Sequence, residues 1–443
     1  VTPAPFTSPL TAPLFGDEEV AAALSDAAFV ARMIAVERAL ALACAAAGLA
    51  TPESVSRVAE RLSTATLAPG DLGRGMARDG VPVPALVAML REGVGADGSA
   101  LHMGATSQDI VDTACVLQWR DVLALMESRL AGLLDMLHAA SEAHAATMMV
   151  ARTRSQAATP ITLGLRIATW AQPLIALEAD LPRLRGILLR VQFGGAAGSA
   201  SAVGQEAELL TAALAEELGL AASPSWQLDR SGLLALGAWL VALSAGLAKI
   251  ARDLIVSGRS EIGEMRAGEG GGSSTMPQKA NPVGAEAMLT LAHYAAALQP
   301  LLAQAAAPLE ERDGAAWALE WLALPQMAMA AAASLRHAQT LVGSMEADGA
   351  RMRARLAEGQ GAAMAEAAAV ALARHIPRGE AAARVRDALA RAQAEGVPLA
   401  QVLAEEPDLG PLEAWRALLS ADRMQPAAEA MRRRILATRS PRP

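Results

Sequence analysis

The chain has 443 residues and a formal net charge of −8; 53% of residues are apolar, 19% charged and 3% aromatic. An acidic chain of this kind lacks the basic face of a general nucleic-acid binder. Two isolated cysteines, Cys44 and Cys115, make neither a metal-ligand pattern nor a disulfide framework.

Alanine dominates many segments, and alanine favours helix where β-branched and aromatic residues favour strand. The opening residues have no basic start and no apolar run, so no secretory signal is expected. No uncharged apolar stretch of about 18 residues is evident, so no membrane span is expected either. Both cysteines lie in apolar helical patterns and read as core residues in a reducing cytoplasm.

In chain order, the first clear helix is AAFVARMIAVERALALACAAAG, capped by Ser25 or Asp26 and ended by Gly48. Shorter helical patterns lead to a loop, GADGSALHMGATSQD. From Asp109 a helical pattern runs without proline or glycine almost to Ala146, apart from Gly132. At 1.5 Å per residue it is roughly 55 Å long. A second long pattern starts at Pro160 and is expected to break at Pro173, Pro182 and Gly186. A third runs from about Leu228 to Arg266, and two more lie between Pro282 and Glu346. From about Gly349 short helices return, ending in a tail, ATRSPRP, expected to fray. The division expected is 1–108 helical, 109–348 long-helix bundle and 349–443 a small helical domain. A lone long bundle leaves wide apolar faces uncovered, which favours self-association.

Three polar islands interrupt this chain. In the first, LHMGATSQDIVDTA, Thr106 and Ser107 sit just before the long helix and His102 lies nearby. Hydroxyls and backbone N–H groups at a helix start suit an anion, although simple capping explains them equally. The second, VARTRSQAATPITLG, puts Arg152 and Arg154 in a turn between long helices, where solvated loop charge is the plain alternative. The third, GEGGGSSTMPQKANPVGAE, sets four glycines before Ser273 and Ser274. Glycine-rich loops of this kind close over substrates, or serve simply as linkers. Lys279 is not followed by Ser or Thr and follows no strand, so this is not a P-loop.

The third island, GSSTMPQKANP, is similar to the signature GSSxMPxKxNP of the fumarase/aspartase superfamily. LHMGATSQDIVDTA, VQFGGAAGSASAVG, KIARDLIVSGRSEIGE and EWLALP resemble its 3-carboxy-cis,cis-muconate cycloisomerase branch. The resemblance implies an all-α, three-domain subunit. Its central five-helix bundle would join a twenty-helix core in a homotetramer, each active site being shared by three subunits. It makes Ser273 the proton-transferring loop serine, with Ser274 beside it. Lys279 and Asn281 become substrate-binding and catalytic groups. Thr106, Ser107 and Gln108 bind a substrate carboxylate, and Glu286 matches a glutamate that often pairs with a histidine in the second segment.

The second segment departs from the family pattern GRTHxQ or RTWxQ. Here it reads Arg152-Thr153-Arg154-Ser155-Gln156, with Arg154 in the histidine position. Arg152, Thr153, Arg154 and Gln156, with His102 of the first island, are expected to bind substrate, and Arg154 either holds a substrate anion or pairs with Glu286. Arginine stays protonated and cannot act as a general base. A histidine-based elimination is disfavoured, whereas lactonisation needs no base because its nucleophile is already a carboxylate. The reading is a cofactor-free, metal-free isomerase in aromatic-compound catabolism, acting on a small polyanionic 3-carboxy- or 3-sulfomuconate. The alternatives are a fumarate-releasing lyase and a non-catalytic relative.

Overall fold

The computed structural model describes residues 3–268, 270–272, 275–276, 279–406 and 410–440. The protein is mostly helical. Helix α1 (Asp26–Ala46) starts where Ser25 Oγ accepts from the Ala28 N–H at 3.2 Å. It ends at Gly48, whose φ of +72° lets the Leu49 N–H turn back to the Cys44 carbonyl at 2.8 Å.

Five long helices follow: α2 (Ser107–Ala143), α3 (Leu163–Leu188), α4 (Ser231–Ser257), α5 (Val283–Ala305) and α6 (Gly314–Gly343). Two expectations about them need correction. Helix α3 continues through Pro173, Pro182 and Gly186. Each proline removes one backbone donor, but Leu174, Leu181 and Leu184 are fully buried and hold the helix in register. Gly246 allows the close approach, since a Cβ there would lie 2.9 Å from Leu174 Cδ2. Helix α4 is, by length and composition, apolar enough to cross a membrane. Most of that stretch is buried in the protein, as in the core helix of a globular chain.

The all-helical expectation fails at the second polar island. Met148–Thr153 (β1) and Gln156–Thr162 (β2) pair antiparallel, with Thr153 opposite Gln156. Arg154 (φ +48°) and Ser155 (φ +65°) form a two-residue turn of the kind that matches strand twist. Val150 and Thr162 are buried, while Thr153 to Ala157 face solvent. The register slips between Val150 and Arg152, next to Pro160, which has no N–H to give the ladder. A two-residue pair, β3 (Met265–Arg266) with β4 (Glu346–Ala347), adds a second short ladder.

The chain separates into two compact units. One comprises Val1–Leu130, Leu177–Ala245 and Ala287–Arg336; the other comprises Ala131–Ala176, Gly246–Glu286 and His337–Pro443. The first unit's core joins Met33, Leu40 and Cys44 of α1 to Leu86, Ile110, Leu117, Phe193 and Leu214. In the second, the short carboxy-terminal helices form a cluster around Leu372, Val385, Leu403 and Trp415. Its tail is held further than expected, because Arg439 pairs with Asp135 at 2.6 Å.

Candidate active site

The first polar island lies in the first unit, where α2 begins at Ser107. Thr106 and Ser107 are half-buried at this helix start, and neither hydroxyl has a hydrogen-bond partner among the described residues. Within the first turn, Asp109 is buried and takes four donors. Thr106 N–H and Gly195 N–H reach its Oδ2 at 2.9 and 3.0 Å; Gln192 Nε2 and Gly194 N–H reach its Oδ1 at 3.0 and 2.9 Å. Burial outweighs these donors and pushes the carboxyl up to about 6. Asp109 therefore ties the glycine loop at 194–195 to the start of α2.

Gln108 is buried and its amide is committed internally. Its Nε2 donates to Asp112 and to the Gln227 carbonyl, both at 3.1 Å, and its Oε1 accepts from Arg312 Nε at 3.0 Å. In this geometry Gln108 orients its neighbours and carries Arg312 beside the island. Asp112 in turn accepts from Arg230 at 2.7 Å and from Trp317 Nε1 at 2.9 Å. Arg230 also donates to Glu320 at 2.8 Å and lies 5.0 Å from the centroid of the Trp226 ring. Burial opposes the charge on Arg230, but the flanking carboxylates outweigh it and hold the group far above its already high ordinary value, while burial pushes Glu320 up. His102, at φ +58°, places its backbone N–H 3.1 Å and its Nδ1 2.7 Å from the buried Glu37. That pair braces the loop against α1.

The second and third islands lie in the second unit. On the β1–β2 hairpin, Arg152 makes a two-point ion pair with the fully buried Glu264, at 2.8 Å on each side. Its forked donors are thus used within the fold. Thr153, Arg154 and Gln156 are exposed at the tip, and Arg154 has no ion-pair partner among the described residues. Arg166, one turn into α3, was missed from sequence because it reads as an ordinary helix cation. It is largely withdrawn from solvent, and burial pulls it below its ordinary value although Asp253 and Glu264 oppose this.

In the third island, the Gly271 and Asn281 backbones exchange two hydrogen bonds at 2.8 Å. Gly270 needs its φ of +72°, and a Cβ there would lie 2.7 Å from Ala280 Cβ. Lys279 is exposed and unpaired among the described residues. Asn281 is half-buried, and Glu286 is exposed in the first turn of α5. Ser273 and Ser274 lie outside the described residues. The structure thus groups Thr106, Ser107 and Gln108 in one unit, and Arg152, Thr153, Arg154, Gln156, Lys279, Asn281 and Glu286 in the other. No cluster of three or more potential metal ligands occurs among the described residues.

In one unit a helix start carries two hydroxyls, and in the other exposed cations lie on a hairpin and beside a glycine-rich stretch; each set by itself suits an anionic group. A family model described as lyase matches residues 19–295. The chain belongs to this lyase family, within the fumarase/aspartase superfamily. It is 37% identical to the 3-carboxy-cis,cis-muconate cycloisomerase of Pseudomonas aeruginosa over 87% of this chain and 86% of that protein. It is 34% identical to the enzyme of the same name from Bradyrhizobium diazoefficiens, over 97% and 98%. The crystal structure of the 3-carboxy-cis,cis-muconate lactonizing enzyme from Pseudomonas putida superposes with a TM-score of 0.90. That match has 33% identity and covers 98% of this chain and 99% of that one.

Proposed function

We propose that this enzyme lactonises a 3-substituted cis,cis-muconate, with 3-carboxymuconate as its substrate. The observation that carries the reading is the full-length similarity to cycloisomerases, together with Arg154 in the position where related lyases carry a histidine base. A substrate carboxylate oxygen forms the new C–O bond by attacking the distal double bond. The displaced π electrons move into the conjugated carboxylate as an ene-diolate. One solvent-derived proton, passed through the Ser273 hydroxyl, then adds to carbon and restores the carboxylate. Lys279 and Asn281 stabilise the ene-diolate, since charge that develops in the transition state is best met by donors already in place. Thr106, Ser107 and the start of α2 hold a second carboxylate. No cofactor or metal enters this scheme.

The segments that carry these groups fall in two units of the chain. We therefore read the protein as a three-domain subunit whose five long helices join those of its neighbours in a homotetramer with shared sites. Sedimentation should give a tetramer, and a fully active monomer would reject the shared site. The activity test is spectroscopic. Loss of the conjugated-diene absorbance with 3-carboxymuconate supports lactonisation, whereas release of fumarate from a succinyl substrate identifies an eliminating lyase instead. Ser273→Ala should lower turnover by about two orders of magnitude or more, the scale of a positioned proton-transfer group. Ser274→Ala should do less; the opposite ranking assigns the proton to the other serine.

A further inference from the structure

The first unit contains a cavity of about 370 Å³ that is separate in character from the polyanion-binding groups. Its size falls within the range of small-molecule sites. The chain has seven Trp, four Phe and one Tyr, yet Trp119, Trp226, Trp321 and Phe29 all line this one space. The remaining wall is chiefly aliphatic, with Met33, Leu72 and Leu324 among its members. Indole rings offer flat apolar faces, and stacked or edge-on aromatic pairs gain about 0.5–1.5 kcal/mol beyond their buried area.

Charge restricts what can enter. The ionisable lining groups include three carboxylates, Asp26, Asp112 and Glu320, and no described lining residue is Lys, Arg or His. Arg230 lies behind Asp112 and Glu320, and both of those carboxylates already accept from it. An incoming carboxylate would meet acidic groups with no free cation, and burying an unpaired charge is costly. The substrate of the proposed reaction is thus excluded by the same electrostatics that make the polar islands suit it.

We propose that this cavity binds a small uncharged aromatic molecule of one or two fused rings. Indole is the probe and indole-3-carboxylate its anionic counterpart. Isothermal titration of the whole enzyme should give an indole dissociation constant on the order of 0.1 mM, the scale for a ligand of about nine heavy atoms. The carboxylate should bind at least tenfold more weakly. Gly73 is on the lining, and a Cβ there would meet no heavy atom within 4 Å, so a side chain can start from this position without a backbone clash. Gly73→Phe should weaken indole at least tenfold by occupying the space, and Trp321→Leu should weaken it severalfold by removing a ring. Thermal unfolding of each variant checks that it remains folded. Absence of an indole isotherm up to its solubility overturns the proposal. So does equal or tighter binding of the carboxylate, or unchanged affinity in both folded variants.

Discussion

The start of α2 and the tip of the β1–β2 hairpin both carry polar groups expected to meet substrate, yet they are built in opposite ways. Around α2 the charges are consumed inside the protein: Asp109 takes four donors, and Asp112 and Glu320 flank a buried Arg230. At the hairpin, Arg152 is spent on Glu264, but Arg154 projects from a tight turn without an ion-pair partner among the described residues. Lys279, on the glycine-rich loop of the same unit, is likewise exposed and unpaired among them. The difference teaches where binding energy resides. A saturated network fixes positions, whereas an unpaired cation retains its attraction for a ligand.

The sharpest way to break this contrast is at Arg230. Arg230→Met leaves Asp112 and Glu320 buried without their shared cation. Breaking a buried ion network by removing one partner costs about 3–5 kcal/mol, and denaturant unfolding should show a loss of that size. A variant as stable as the parent would mean that the network is not what holds the start of α2.

Lys279 should behave in the reverse manner. Lys279→Met should lower kcat/KM by about 100-fold, the scale of one lost charge-stabilising donor. Its unfolding midpoint should stay put, because the side chain is exposed and has no ion-pair partner among the described residues. A large loss of stability with intact kinetics would reverse the assignment of the two regions.

Asp109 adds a pH dependence to the comparison. Its folded value of about 6 lies above the ordinary carboxyl value of about 3.9. Between those pH values the folded state holds the extra proton more often than the unfolded chain. Through this group, stability therefore falls as pH rises from about 4 to 6 and is flat above that. Activity should move the other way. Protonation removes an acceptor that the 194–195 loop and Thr106 share, so kcat/KM should fall severalfold as pH drops through about 6. Asp109→Asn should lose that inflection while remaining folded. An inflection unchanged in the variant would assign the titration to another group.

Much of the helical framework was legible because long apolar patterns without charge reversal leave few other folds. Ser25 and Gly48 bounded α1 by chemistry that acts within a few residues. The failures came where a distant partner decided the outcome. Pro173 and Pro182 read as helix ends, but buried leucines keep α3 continuous. The RTRSQ turn read as a loop because β1 and β2 are short and their pairing is visible only in three dimensions. Arg152 and Gln108 read as substrate ligands; Glu264 lies 112 positions from Arg152, and Arg312 lies 204 positions from Gln108. Their partners gave no local signal, and the same holds for Arg166.

Arg154 gives the smallest and most discriminating effect. Its φ of +48° favours asparagine among ordinary side chains, so Arg154→Asn removes the cation while keeping the turn. Because the guanidinium is exposed and makes no ion pair among the described residues, unfolding should change by less than about 0.5 kcal/mol. If Arg154 engages the 3-substituent, the variant should raise KM for 3-carboxymuconate roughly five- to tenfold and leave kcat nearly unchanged. That is the pattern of an interaction made equally in the ground and transition states. Unsubstituted cis,cis-muconate should be unaffected, because it lacks the group that the planar guanidinium would grip at two points. An equal rise in KM for both substrates would place Arg154 on a carboxylate common to the two. A fall in kcat alone would assign it to the reacting end of the substrate.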